Sequence, residues 1–573
     1  MTRESRIVRL LPALLLAIAV AGCTQNDPPA ASERGQLRVA AVAMPDRHGA
    51  AVSEAVIRSG GNAVDAAIAA GFALAVTFPE AGNIGGGGFM LIRMDGESSF
   101  LDYRETAPLA AHRDMFLDAD GEVIENASLI GHRAAGVPGT VAGFWAAHQR
   151  FGTKPWRELV APAVALAEHG FIAPQSLVDH VQSLRDWFGD STNFFEYFGS
   201  MRAGDVFRQP QLAQTLRRIA ETGPQDFYHG ETARLLVRQM QSGEGLIGDE
   251  DLQRYAAVWR EPLSALWRGY EIVSAPPPSS GGFAVIQLLK TKDYLHHFFD
   301  GVPHNSAQYV HLVAEMEKRV FADRAEYLGD PDYVDVPIRQ LLAEEYIQRR
   351  AREVDPQRIS SVDGVAPGLE SHDTTHYSIL DGMGNAVSNT YTINWDFGSG
   401  VVVQGAGFLL NNEMDDFSVK PGVPNVYGVV GNTANEIQPG KRMLSSMSPT
   451  ILLEDEQVKM VIGTPGGSTI FTSVFQAIVN IEDFGMSPAD AVDAGRFHHQ
   501  LLPADLVTYS PSRPLPGSVM SALGERGYRL EPHSWEFGNV QIVLRDGDRV
   551  LAASDPRGRG DSRVFEYSPG IRD

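Results

Sequence analysis

The sequence predicts a layered α+β fold, and three observations carry that reading. Strand-like segments come in blocks and helical segments come in blocks, instead of alternating one for one as a βαβ fold requires. From about residue 38 to 370 the pattern is mostly helical, and after about 370 paired strands take over. Hydrophobic residues make up 43% and charged residues 21% of 573 residues, which supplies a large core and argues against a disordered or polytopic membrane chain.

The elements follow in order. Residues 50–58 and 63–77 are rich in Ala, Val and Leu and read as helices. Between them Gly60-Gly61-Asn62 supplies a helix stop followed by an N-cap. Residues 89–93 and 100–103 read as buried strands, and helical segments recur near 140–168, 210–240, 283–298 and 305–327. A sharp break, Pro276 to Pro278 followed by Ser279-Ser280-Gly281-Gly282, precedes the third of these. Residues 374–380 and 386–393 alternate around Asp381-Gly382-Met383-Gly384-Asn385 and predict a β-hairpin. Further strands are expected at 443–454, 457–462, 540–544 and 550–553, with helices at 469–484 and 488–494. No fixed-period repeat is present.

Composition narrows function. Lys and Arg number 48 against 71 Asp and Glu, a formal charge of −23, which disfavours nucleic acid as a partner. The one cysteine, Cys23, excludes an intrachain disulfide and a cysteine-built zinc site. Phosphate-loop, dinucleotide and His-Glu-x-x-His metal motifs are absent from the sequence. Residues 1–22 place Arg3, Arg6 and Arg9 before a short apolar run, the pattern of a secretory signal too short to span a bilayer comfortably. Val20-Ala21-Gly22-Cys23 resembles a bacterial lipobox, with Cys23 as the lipidated residue. Residues 23–36 are polar and read as a flexible tether. The expectation is export to the periplasm, with a lipid anchor in the outer membrane as the sole membrane contact.

The chemistry concentrates in one stretch. Thr374-Thr375-His376-Tyr377-Ser378 is followed by Gly384-Asn385-Ala386-Val387-Ser388 and then Thr390-Tyr391-Thr392-Ile393-Asn394. Downstream come Asn411-Asn412-Glu413-Met414-Asp415-Asp416-Phe417, Leu444-Ser445-Ser446-Met447-Ser448-Pro449 and Gly463-Thr464-Pro465-Gly466-Gly467-Ser468. Upstream lie Gly85-Gly86-Gly87-Gly88-Phe89 and Asp102-Tyr103-Arg104-Glu105. Together these resemble the signature of the γ-glutamyltransferases, members of the N-terminal-nucleophile hydrolases, along nearly the whole chain after residue 38.

The resemblance implies a four-layer αββα sandwich built from two autoproteolytic subunits, 37–373 and 374–573. It implies cleavage between Asp373 and Thr374, after which Thr374 is the catalytic nucleophile. A free α-amino group has a pKa of ~8, so at neutral pH it can act as the base for the hydroxyl on the same residue. By the same resemblance Thr392 supports the nucleophile, and Gly466 and Gly467 present the oxyanion donors. Arg104 then binds the substrate α-carboxylate, helped by Ser445 and Ser446, while Asn394, Glu413 and Asp416 hold the α-ammonium. Tyr427 lies in the segment that matches a pocket lid. The implied substrates are glutathione and other γ-glutamyl compounds, with water or amino-acid and dipeptide acceptors. No cofactor and no metal is implied.

Plainer readings stand beside these. Residues 85–88 are a glycine turn for close backbone packing sooner than a phosphate cradle. His498 and His499 are structural, since sequence neighbours rarely converge on one ion. The acids at 413, 415 and 416 could suggest calcium, but the ammonium role suits Glu413 and Asp416 better, and Asp415 is left as structural. Two other functions compete: a glutaryl or cephalosporin-type acylase of the same superfamily, and an inactive lipoprotein that only binds a partner.

Overall fold

The computed structural model describes residues 37–361, 374–420 and 433–567. Strand alternation builds its layers. In Val39–Met44, Ala40, Val42 and Met44 point into a core shared with helices, whereas Ala41 and Ala43 point into a second core. Gly87–Met94 does the same, with Met90 and Ile92 on one side and Phe89 and Leu91 on the other. A strand buried on both faces must lie between two layers.

Two antiparallel sheets result. The first orders Asp561–Glu566, Val39–Met44, Thr374–Leu380, Ala386–Thr392, Gly87–Met94, Glu97–Asp102 and Val258–Arg260. The second orders Arg549–Ser554, Gln541–Asp546, Gln457–Gly463, Thr450–Glu454, Tyr270–Ser274 and Leu263–Trp267. Phe89, Leu91 and Phe100 of the first sheet pack against Val273, Ile451 and Val461 of the second. Ala63–Thr77 and its neighbours cover the outer face of the first sheet. Gly281–Tyr294, Ala307–Tyr327 and Thr469–Glu482 cover that of the second. This is the expected αββα sandwich. Strands from before and after residue 374 interleave in both sheets, so extensive pairing crosses that point.

Several expectations hold in detail. Asn62 caps Ala63–Thr77: its Oδ1 accepts from Asp65 N at 2.9 Å, and Asp65 accepts from Asn62 N at 3.0 Å. The Asp381–Asn385 turn closes with Asp381 N donating to Asn385 O at 2.9 Å, and Gly384 takes φ +83°. The glycines at 85–88 are packing residues. A Cβ on Gly85 would sit 2.0 Å from Leu409 O, and one on Gly86 would sit 2.0 Å from Thr392 O.

Others need correction. The strand expected at 443–454 is confined to Thr450–Glu454. Serine hydroxyls capture the backbone upstream of it: Met447 N donates to Ser445 Oγ at 3.1 Å and Ser448 Oγ donates to Ser446 O at 2.8 Å. Pro449 then lacks the N–H that a ladder needs. The helical stretch 210–240 is three helices, interrupted at Gly223 and Gly230. The Leu263–Trp267 and Tyr270–Ser274 hairpin had no clear sequence signal, because its first strand is an edge and half-exposed.

Candidate active site

The hairpin register sets the candidate reacting centre. Thr374 and Thr392 are direct cross-strand partners at the end of the Thr374–Leu380 and Ala386–Thr392 pair. Alternation then points residues 374, 376 and 378 towards the second sheet, while Tyr377 donates its hydroxyl to Ala67 O in the helical layer at 2.8 Å. Ser378 Oγ donates to Gln541 O and Ser388 Oγ to Ile462 O, both at 3.1 Å, which stitches the sheets together beneath the threonines. His376 shares this seam, its ring nitrogens 2.8 Å from Thr390 Oγ1 and 3.0 Å from Ser378 Oγ. Burial lowers its pKa to about 3, so the seam is neutral.

Thr374 is 8% exposed and opens into a cleft of about 360 Å³. Pro465, Trp535, Asn539, His180 and Asp396 also line it. Thr392 Oγ1 accepts from Asn394 N at 2.7 Å, which helps fix that side chain. Pro465 leads into Gly466 and Gly467, at φ +130° and +54°, which open Thr469–Glu482. Gly466 O accepts from Thr469 N at 3.0 Å, so the two glycines form the approach to a helix N-terminus, where backbone N–H groups favour negative charge. A Cβ on Gly466 would lie 2.6 Å from Thr469 Oγ1, so the turn requires glycine.

The second cluster is charged. Arg104 follows Glu97–Asp102 and is fully buried. Its Nη1 lies 2.6 Å from Glu413 Oε2 and 3.7 Å from Glu105 Oε2, and its Nη2 donates to Asp416. Glu413 and Asp416 come from the short turn Glu413–Asp416. Arg104 is therefore held by the two acids expected to hold a ligand ammonium. Burial alone would weaken the Arg104 cation, but Glu413, Asp416 and Glu105 more than offset it. Burial pushes the Glu413 and Asp416 carboxyls up against the pull of Arg104, and pushes Glu105 up to about 8. Three carboxyls thus surround one guanidinium, more acidic groups than a single cation pairs.

The other expected residues fall around this pocket. Asn394, at φ +74°, donates its side-chain amide to Asn412 O at 3.0 Å, a backbone strain that asparagine tolerates. Ser445 and Ser446 sit on the segment that follows Arg104's carbonyl partners, Met443 O and Leu444 O. Asp415 turns away to bond Ser128, and burial raises it to about 7. His498 and His499 are buried in separate networks, with Thr472 and Leu506 O respectively. Asp373, Tyr427 and Cys23 lie outside the described residues.

Sequence reasoning assigned no role to Glu105, although its adjacency to Arg104 was a signal. It also passed over His180, which meets Asp396 at 2.7 Å beside the cleft. No local pattern joins those two, because 216 positions of chain separate them.

Residues 49–565 match the family described as Gamma-glutamyltranspeptidase. A glutathione hydrolase proenzyme from Pseudomonas aeruginosa is 56% identical over 551 residues, covering 96% of this chain and 98% of that protein. The structure of a γ-glutamyltranspeptidase from Pseudomonas nitroreducens complexed with L-DON is 55% identical, with a TM-score of 0.55 over 55% of this chain and 95% of that one. A cephalosporin acylase from Bacillus halodurans shares the fold more completely, with a TM-score of 0.79 at 28% identity over 94% of this chain and 99% of that one. The match across almost all of the described sandwich means that this chain belongs to the γ-glutamyltranspeptidase family.

Proposed function

We propose that this chain is the precursor of a γ-glutamyltransferase and glutathione hydrolase that cuts itself before Thr374. The carrying observation is Thr374, paired across the hairpin with Thr392 and lining a cleft, with an Arg104–Glu413–Asp416 cluster in the same molecule. In maturation the Thr374 hydroxyl attacks the Asp373 carbonyl, the amide becomes an ester, and water separates residues 23–373 from 374–573. The new α-amine takes the hydroxyl proton in the next attack, on the γ-carbonyl of the donor. Gly466 and Gly467 N–H groups stabilise the oxyanion. Collapse forms a γ-glutamyl ester and expels the amine, which leaves with the proton. Water or an acceptor amine then resolves the ester, giving hydrolysis or transfer.

Recognition is an exchange of ions. The ligand's α-ammonium takes Glu413 and Asp416, with Asn394 alongside, and its α-carboxylate takes Arg104, Ser445 and Ser446. The pocket stays charge-matched as the Arg104 pairs loosen. A glutaryl-type acylase substrate lacks the ammonium, and a buried cluster of three acids favours the γ-glutamyl reading over it. We further propose export through residues 1–22, with a lipid anchor on Cys23 in the outer membrane. Failure of a lipid label to enter wild-type protein, with a Cys23→Ser control, would sink that part.

The deciding experiment is the intact mass and N-terminal sequence of purified protein, followed by release of p-nitroaniline from γ-glutamyl-p-nitroanilide. Two chains, one starting at Thr374, with turnover support the proposal. A single chain without turnover overturns it.

A further inference from the structure

The Pro-Pro-Pro-Ser-Ser-Gly-Gly break clasps the serine segment of the pocket. Ser280 N donates to Ser445 O at 2.7 Å, and Ser445 N donates to Pro278 O at 2.9 Å. Ser279 Oγ donates to Met447 O at 2.6 Å. Behind the clasp stands Arg324, buried near the end of Ala307–Tyr327. Its Nε donates to Ser280 Oγ at 3.0 Å and its Nη2 donates to Ser446 Oγ at 3.2 Å.

Hydrogen-bond polarity gives these contacts a consequence. A guanidinium only donates, so both serine oxygens must accept from it. Ser280 Oγ in turn donates its hydrogen bond to Ser445 O at 2.8 Å. Ser446 is left to use its proton as a donor in another direction. Ser445 is poled the same way, since its Oγ accepts from Met447 N at 3.1 Å. Two neighbouring hydroxyls that each keep a proton to donate suit an anion. The positive charge of Arg324 also opposes the rise that burial imposes on the Asp416 carboxyl.

We propose that Arg324 is a positioning residue for substrate recognition, fixing Ser446 as a hydroxyl donor towards the α-carboxylate of the bound amino-acid head group. The inference rests on the γ-glutamyl reading of the same pocket. It explains why a helix of the outer layer sends a buried arginine to this clasp.

The test is a double-mutant cycle on the matured enzyme with γ-glutamyl-p-nitroanilide, reading KM and kcat separately. Arg324→Gln raises KM about tenfold and leaves kcat within about twofold, the size expected for a charge-assisted hydrogen bond to a ligand anion. Arg324→Lys, which keeps the charge and loses the fork, recovers part of the loss. In a Ser446→Ala background, Arg324→Gln adds less than about twofold, since the group it orients is gone. Should Arg324→Gln fail to mature, the cycle is run with Arg324→Lys. Unchanged KM in the Arg324 variants, or a penalty that persists in full in the Ser446→Ala background, overturns the proposal. Absence of turnover by the wild type overturns the γ-glutamyl reading itself and takes this inference with it.

Discussion

Thr374 and Thr392 stand side by side because a five-residue turn folds one strand back along the other, whereas Arg104 meets Asp416 across 312 positions of chain. The seam beneath the threonines is neutral, made of hydroxyls and a neutral histidine. The second region packs one guanidinium among three carboxyls, with Arg104, Glu105 and Glu413 buried and Asp416 partly exposed. Under the proposed function, the contrast separates making a bond from choosing a substrate. A nucleophile needs exact placement, which strand register supplies at short range. Recognition of a zwitterion needs opposed charges, which must be brought from different parts of the chain and kept dry to be strong.

The largest predicted effect breaks the first region. Thr374→Ala remains a single chain and loses about 10⁴-fold or more in activity. Normal cleavage in that variant, seen by intact mass, would refute the assignment of the nucleophile. Next comes the charged region. Asp416→Ala leaves the buried Arg104 short of a partner and removes a proposed ammonium site, and kcat/KM falls by about 10²–10³-fold. Unchanged kcat/KM for a γ-glutamyl donor would remove the amino-acid pocket from the account.

Gly466→Ala forces a side chain to φ +130° and against Thr469 Oγ1. Single-turnover kinetics are expected to show acylation slowed by about 10–100-fold with little change in donor affinity. A pure affinity loss would place these glycines with recognition instead. Glu413→Gln keeps the shape and removes one charge from the crowded pocket, so kcat/KM changes by less than about tenfold. A larger loss would mean that the second acid is needed as a charge.

The smallest effect concerns stability. Burial holds His376 and His499 at about 3 and His498 at about 4, below an unfolded value of 6.5. Their contribution is complete above pH 6.5 and is lost as pH falls towards those folded values, because the unfolded chain binds the protons first. A falling Tm from pH 6.5 to 4, with a shallower slope in His498→Asn, is the expected result. A flat profile would contradict the burial of these histidines in neutral form.

Legibility followed range. The hairpin and its turn could be read directly, since alternation and Asp381-Gly382-Met383-Gly384-Asn385 are local signals. The Asn62 cap was equally plain. Residues 443–449 misled because apolar and small residues there suggest a strand, while serine side chains and a proline withdraw the backbone from the ladder. The resemblance named Arg104, Glu413 and Asp416 but assigned them to opposite ends of a ligand, and their direct pairing emerged only from the folded pocket.

By itself the sequence determined the αββα class, the family, the threonine hairpin and the glycine turn, because each is written in short-range pattern or in ordered motifs. Tertiary structure alone decided that Arg104 is gripped by Glu413 and Asp416, that Glu105 crowds the same guanidinium, and that Arg324 reaches Ser446 through the clasp. Those contacts depend on which charges are buried together. Burial is a property of the packed layers, and no local stretch of residues carries it.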